Sequence, residues 1–71
     1  MTTNNSVLLV DRPRVVALIP AYNEERFIGG VVLKARDFAD VVIVVDDGSS
    51  DATAEIARAA GATVVTHECN Q

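Results

Sequence analysis

The 71-residue chain carries ten acidic and six basic side chains for a net charge of −4 and a pI near 4.6; the basic residues form no stripe, so a nucleic-acid or anionic-membrane surface is excluded as a partner. With 49% hydrophobic and 23% charged residues it reads as globular, but a chain of this size buries only about 60% of its unfolded surface, which points to a piece of a larger α/β domain. Its single cysteine, Cys69, excludes a disulfide framework and suggests a reducing, cytoplasmic setting.

Residues 1–13 have an apolar run only at Val7–Val10, with no basic residue before it, and so read as neither a secretory signal nor a membrane span. A disordered leader is expected there, with an extra edge strand at Val7–Val10 as the alternative. Residues 14–71 read as one α/β unit. Val15–Ile19 (VVALI) is a continuous apolar run expected as the first strand, stopped by Pro20, which has no N–H for a ladder. In PAYNEERF, Asn23 suits the N-cap of a helix, with Glu24 and Glu25 in its first turn at the positive end of the dipole. Ile28, Val31, Val32 and Ala35 then form one apolar stripe on a helix ending near Arg36. Gly29 and Gly30 weaken that helix by about 1 kcal/mol each relative to Ala, and close packing against the sheet would account for them.

Val41–Val45 (VVIVV) is β-branched throughout with no polar alternation, the pattern of an interior strand covered on both faces. It runs into Asp46 and Asp47, which repel each other and are costly to desolvate, so both are expected where the strand leaves the core and a ligand can reach them. Gly48 and two serines turn the chain, and Ser50 or Asp51 can cap the next helix. Thr53, Ile56, Ala57 and Ala60 form the inner stripe of that helix, with Gly61 at its C′ position. Ala62–Thr66 (ATVVT) is the third strand. His67, Glu68 and Cys69 read as loop, because three consecutive ligand-type residues seldom converge on one ion.

The fold expected from this order is α/β, a Rossmann-like βαβαβ unit with three parallel strands and two helices on right-handed crossovers. PAYNE, DDGSSD and THECNQ all leave strands at the carboxyl edge, where open α/β sheets bind ligands. The turn after the first strand has no glycine for a pyrophosphate, there is no GKS or GKT, and one histidine in a terminal loop makes no Ser-His-Asp set. A receiver-like module that holds Mg²⁺ on paired carboxylates is the non-enzyme alternative, although in such modules the acidic pair follows the first strand and here it follows the second. Tyr22, Glu24 and Asp51 each have a plainer reading, as an amphipathic loop residue, a first-turn acid and a helix cap. Asp47 is different: a turn needs only one Asx residue, and a second acid with no nearby basic partner points to function.

VVALIPAYNEERFIGGVV followed by ADVVIVVDDGSSDATAEIARAAGATVV resembles the N-terminal nucleotide-binding half of family 2 glycosyltransferases with the GT-A fold, closest to the polyprenyl-phosphate glycosyltransferases. The resemblance covers about Val15 to Val65, and the two motifs are specific in combination. It implies a sugar transfer from a UDP- or GDP-linked donor to an acceptor such as a polyprenyl phosphate. Pro20 and Ala21 would border the nucleoside, Pro20 through its backbone; Tyr22 would wall the base; Glu24 would accept from ribose or base; Val45 would contribute backbone; and Asp47 would accept from the base. The family's Asp-x-Asp motif, which holds Mg²⁺ or Mn²⁺ on the donor diphosphate, and its general base have no counterpart here. The resemblance therefore implies a nucleoside subsite without catalytic or metal residues of its own, inactive as an isolated 71-residue chain. Lacking a fourth strand, the first strand would keep a bare edge, so self-association is expected.

Overall fold

The computed structural model describes residues 14–67; the leader, its alternative strand at Val7–Val10, and Cys69 lie outside the described residues. The element order is β1 (Val16–Ala21), α1 (Ile28–Arg36), β2 (Val41–Asp46), α2 (Thr53–Ala59) and β3 (Thr63–Thr66). The sheet is parallel in the order β1-β2-β3, with Val16 opposite Val41, Ala21 opposite Asp46, and Asp46 opposite Thr66. This is the Rossmann-like α/β unit expected, with β2 interior.

β1 runs through Pro20 to Ala21 rather than stopping at Ile19. Ala21 accepts a hydrogen bond from the Asp47 N–H at 2.9 Å, and Val15 accepts from Asp40 and Val41. The odd-numbered residues of β1 thus turn their backbone groups to β2, and Pro20 turns its own to the opposite side, where no strand pairs with β1 among the described residues and a missing N–H costs no ladder bond there.

Both connections advance in the same direction across the sheet, so right-handed crossovers place both helices on one face. That face holds the core: Ala21, Val42 and Val44 from the sheet, Ile28, Val32 and Ala35 from α1, and Ala57 from α2. Val32, Val44 and Thr53 are the largest side chains buried completely; complete burial of a valine stabilises the fold by about 1.5 kcal/mol or more. The opposite face is open, and Val16, Leu18 and Val65 are at least half exposed. The expectation of two covered faces is therefore corrected for the described residues: the unbroken apolar run reports that both faces are apolar, and among those residues only one is covered.

Three details of the helices also differ from expectation. Val31 is 43% exposed and lies off the buried stripe of Ile28, Val32 and Ala35. Gly29 approaches the other helix instead of the sheet: a Cβ there would lie 3.2 Å from Ile56 Cγ2, and one on Gly30 would meet nothing within 4 Å. Gly61, by contrast, takes the C′ place after Ala60 with φ of 108°, the conformation that favours glycine.

Candidate functional site

The three strands end level with one another, and their exits continue the ladder by one step. The Asp47 N–H donates to Ala21 O, and the His67 N–H donates to Asp46 O at 2.7 Å. This sets the residues after β1, β2 and β3 side by side at the carboxyl edge. A shallow cleft of about 230 Å³ opens there, lined by Pro20, Ala21, Tyr22, Glu24 and Asp47. Val45, opposite Pro20 in the register, is half-buried in the sheet behind it and outside that lining. Larger hollows lie at the other end of the sheet, between Arg36 and Thr63, and along β1 beside Phe38. The smaller cleft is the functional candidate because it combines the carboxyl edge with an aromatic ring and two carboxylates.

The loop after β1 is tied to the loop after β2 by two relays of the same form. The Asn23 N–H donates to Ser49 Oγ at 2.8 Å, and that hydroxyl donates to Asp46 Oδ1. The Glu24 N–H donates to Thr53 Oγ1 at 2.8 Å, and that hydroxyl donates to Asp51 Oδ1. Around them, the Glu25 N–H donates to Asp51 Oδ2, the Ser50 N–H to Asn23 Oδ1, and the Ala52 N–H to Glu25 Oε1. Three consecutive amides, of residues 23 to 25, thus bond to side chains of the loop after β2 and the start of α2. The Asp51 carboxyl is held below its ordinary range, first by the Thr53 hydroxyl, which outweighs the opposing desolvation, and then by lesser contributions from the backbone N–H groups of Thr53 and Glu25.

This clasp changes several assignments. Asn23 is not a helix N-cap: it has φ of 50°, its side chain bridges to the other loop, and regular helix begins only at Ile28. A turn does start one residue later, since the Glu24 carbonyl accepts from the Phe27 and Ile28 N–H groups. Asp51 does receive the N–H of Thr53, the first residue of α2, at 3.0 Å. Asp46 does not share the cleft with Asp47. It is only 4% exposed, points to the helix-covered side, and has its repulsion and desolvation offset by the N–H and hydroxyl of Ser49.

Asp47 faces outward and has a partner that its sequence neighbours do not supply: its Oδ1 lies 2.8 Å from His67 Nδ1. The absence of a basic neighbour is thus corrected by the fold, which brings in a side chain 20 positions away. The residues missed by sequence reasoning are therefore Asn23, Glu25, Ser49, Thr53 and His67. A signal existed for Ser49 and Thr53 in the density of Asp, Ser and Thr from Asp46 to Thr53, and for Asn23 as a lone Asx residue in the other turn, but their partners follow only from strand register.

Residues 16–71 match the sequence profile of Glycosyl transferase family 2. The chain belongs to that family. It is 49% identical over 53 residues to Glycosyltransferase AglJ of Haloferax volcanii, covering 72% of this chain and 17% of that protein. It is 49% identical over 51 residues to the 4,4'-diaponeurosporenoate glycosyltransferase of Staphylococcus aureus, covering 68% of this chain and 13% of that one. The structure superposes on the glucosyl-3-phosphoglycerate synthase of Mycobacterium tuberculosis with a TM-score of 0.66 and 38% identity, covering 75% of this chain and 21% of the other. That enzyme has been crystallised with Mn²⁺, UDP and glucosyl-3-phosphoglycerate, and with Mg²⁺ and UDP. The family 2 chain described here therefore spans about a fifth or less of the length of these relatives.

Family membership sets the receiver-like alternative aside, as does the geometry of its acidic pair, since a shared Mg²⁺ needs both carboxylates on one side. Among the described residues no three His, Cys, Asp or Glu side chains come together as a metal-holding group. The Asp46 and Asp47 pair does not fit such an ion, because one carboxylate is buried against Ser49 and the other is turned to His67. Among the described residues, no helix is long and apolar enough to cross a membrane.

Proposed function

We propose that residues 14–71 supply the nucleoside subsite of a glycosyltransferase that transfers a sugar from a UDP- or GDP-linked donor to an acceptor such as a polyprenyl phosphate. The observation that carries this reading is the convergence of Pro20, Ala21, Tyr22, Glu24 and Asp47 on one cleft at the carboxyl edge, in a family 2 chain whose mycobacterial relative binds UDP.

The cleft suits a base and ribose better than a diphosphate. Among the described residues its lining has two carboxylates and no basic side chain, so it attracts N–H and O–H donors and repels phosphate. Tyr22, half exposed, offers a ring face for a base to stack on. Asp47 accepts from a ring N–H of uracil or guanine, Glu24 accepts from ribose or base, Pro20 borders the nucleoside through its backbone, and Val45, outside the lining, supports Pro20 from the neighbouring strand. Mg²⁺ or Mn²⁺ would neutralise the diphosphate leaving group when bound, held by residues outside those described. The catalytic base and the acceptor site likewise belong to other parts of the protein, so the 71-residue chain alone transfers no sugar.

Titration calorimetry of the full-length protein with UDP and GDP tests the assignment. Asp47→Ala is expected to weaken binding by about 1.5 to 3 kcal/mol, the worth of a charged hydrogen-bond acceptor, and Asp46→Ala to act mainly on stability. An Asp47→Ala protein that binds both nucleotides as tightly as the parent would remove the central residue of the subsite.

A further inference from the structure

We propose that His67 is a positioning residue for the nucleoside subsite, fixing the Asp47 carboxylate so that one oxygen is held and the other presents itself to a ring N–H of the base. The inference rests on the nucleoside reading of the cleft and adds to it a residue from the third strand's exit.

Three observations carry it. First, the imidazole Nδ1 and Asp47 Oδ1 are 2.8 Å apart, a distance at which the Nδ1–H tautomer or the imidazolium donates a full hydrogen bond. Second, both backbones are pinned at the same level of the sheet: Asp47 donates its N–H to Ala21 O, and His67 donates its N–H to Asp46 O. The two side chains thus spring from a rigid edge and not from loop tips, so their bond fixes one rotamer of an otherwise free carboxylate. Third, the pair is on the surface, with side chains 68% and 55% exposed for His67 and Asp47. An exposed pair of this kind contributes little to stability, and no core packing requires an imidazole at this place. Among the described residues Asp47 Oδ2 has no partner, and Asp47 lines the cleft.

The chemical consequence is selectivity for bases that donate. A carboxylate oxygen held in place accepts from the N3–H of uracil or the N1–H of guanine, whereas cytosine presents an acceptor at the corresponding ring nitrogen and is repelled. Without the imidazole the carboxylate samples other rotamers, and both affinity and this discrimination fall.

The experiment is a binding cycle in the full-length protein, with UDP and CDP as probes. His67→Ala is expected to weaken UDP binding about fivefold, the net worth of one hydrogen bond, and to narrow the UDP-to-CDP ratio. His67→Asn, whose amide can donate to the same oxygen, is expected to restore both. In an Asp47→Ala background, His67→Ala is expected to cause no further loss. The exposed position makes misfolding an unsuitable explanation, and an unchanged unfolding midpoint for His67→Ala confirms it. Parent-like affinity and selectivity in His67→Ala, while Asp47→Ala is weakened, would overturn the role of His67 and leave the subsite intact. Equal loss from His67→Ala with and without Asp47 would also overturn it. Parent-like binding by Asp47→Ala would instead bring down the nucleoside reading, and this inference with it.

Discussion

Thr53→Val isolates the hydroxyl that joins the two loops. Thr53 is completely buried at the first position of α2. Its hydroxyl accepts the Glu24 N–H at 2.8 Å and donates to Asp51 Oδ1. Valine has nearly the same shape, so the substitution leaves no cavity and removes only the two hydrogen bonds. The Glu24 N–H is then stranded in a partly buried place, at a cost of about 1–3 kcal/mol, while Asp51, reached by solvent, regains water for the donor it loses. The net destabilisation is about 2 kcal/mol. With a urea m-value of about 1–2 kcal/mol/M for a small domain, the unfolding midpoint should fall by about 1–2 M. Thr53→Ser is the control: it keeps the relay and loses one buried methyl, about 0.8 kcal/mol. Urea titrations of the three proteins followed by circular dichroism decide the matter. If Thr53→Ser is the more damaging change, or if Thr53→Val unfolds with the parent, the methyl and not the relay is what the site needs, and the clasp has no energetic role.

Asp51 makes the same clasp sensitive to acid. Its folded-state carboxyl lies below the ordinary value of 3.8, so its contribution is present above that value and is lost as pH falls through the lowered one; the urea midpoint of Asp51→Asn should depend less on pH below about 4 than the parent's, and identical slopes would remove Asp51 from the acid response. The glycines separate cleanly: Gly61→Ala meets positive φ and the Arg36 guanidinium 2.8 Å away, so a loss of about 1–2 kcal/mol is expected, whereas Gly30→Ala, with open space around it, should gain about 0.5–1 kcal/mol. Thermal unfolding of the two variants checks both signs. The isolated 71-residue chain should self-associate through the free edge of β1 and the open face around Leu18; light scattering that shows only monomer at high concentration would contradict this.

The order of elements and the parallel sheet were legible because they depend on local pattern: β-branched apolar runs, a helical stripe, a glycine at a helix end. What sequence could not show depends on pairs distant in the chain. The run Val41–Val45 says that both faces of a strand are apolar, but whether both are covered depends on the sense of the two crossovers, and here both helices fall on one side. Pro20 reads as a stop until β1 is known to be an edge strand with that residue's backbone turned outward. Asn23 and Asp47 show the same limit at the site. Each has a sensible local role, a helix cap and an acid without a partner, and each takes another because register sets residues 20 or more positions apart at one level. Asp46 and Asp47 make the point within two residues. A strand alternates its side chains, so adjacent acids cannot share a face; the one directed into the fold must be satisfied by its own turn, and only the other is free to face a ligand. That alternation was available from the sequence once the strand was extended to Asp46, and it separates the structural acid from the candidate binding acid without any knowledge of the ligand.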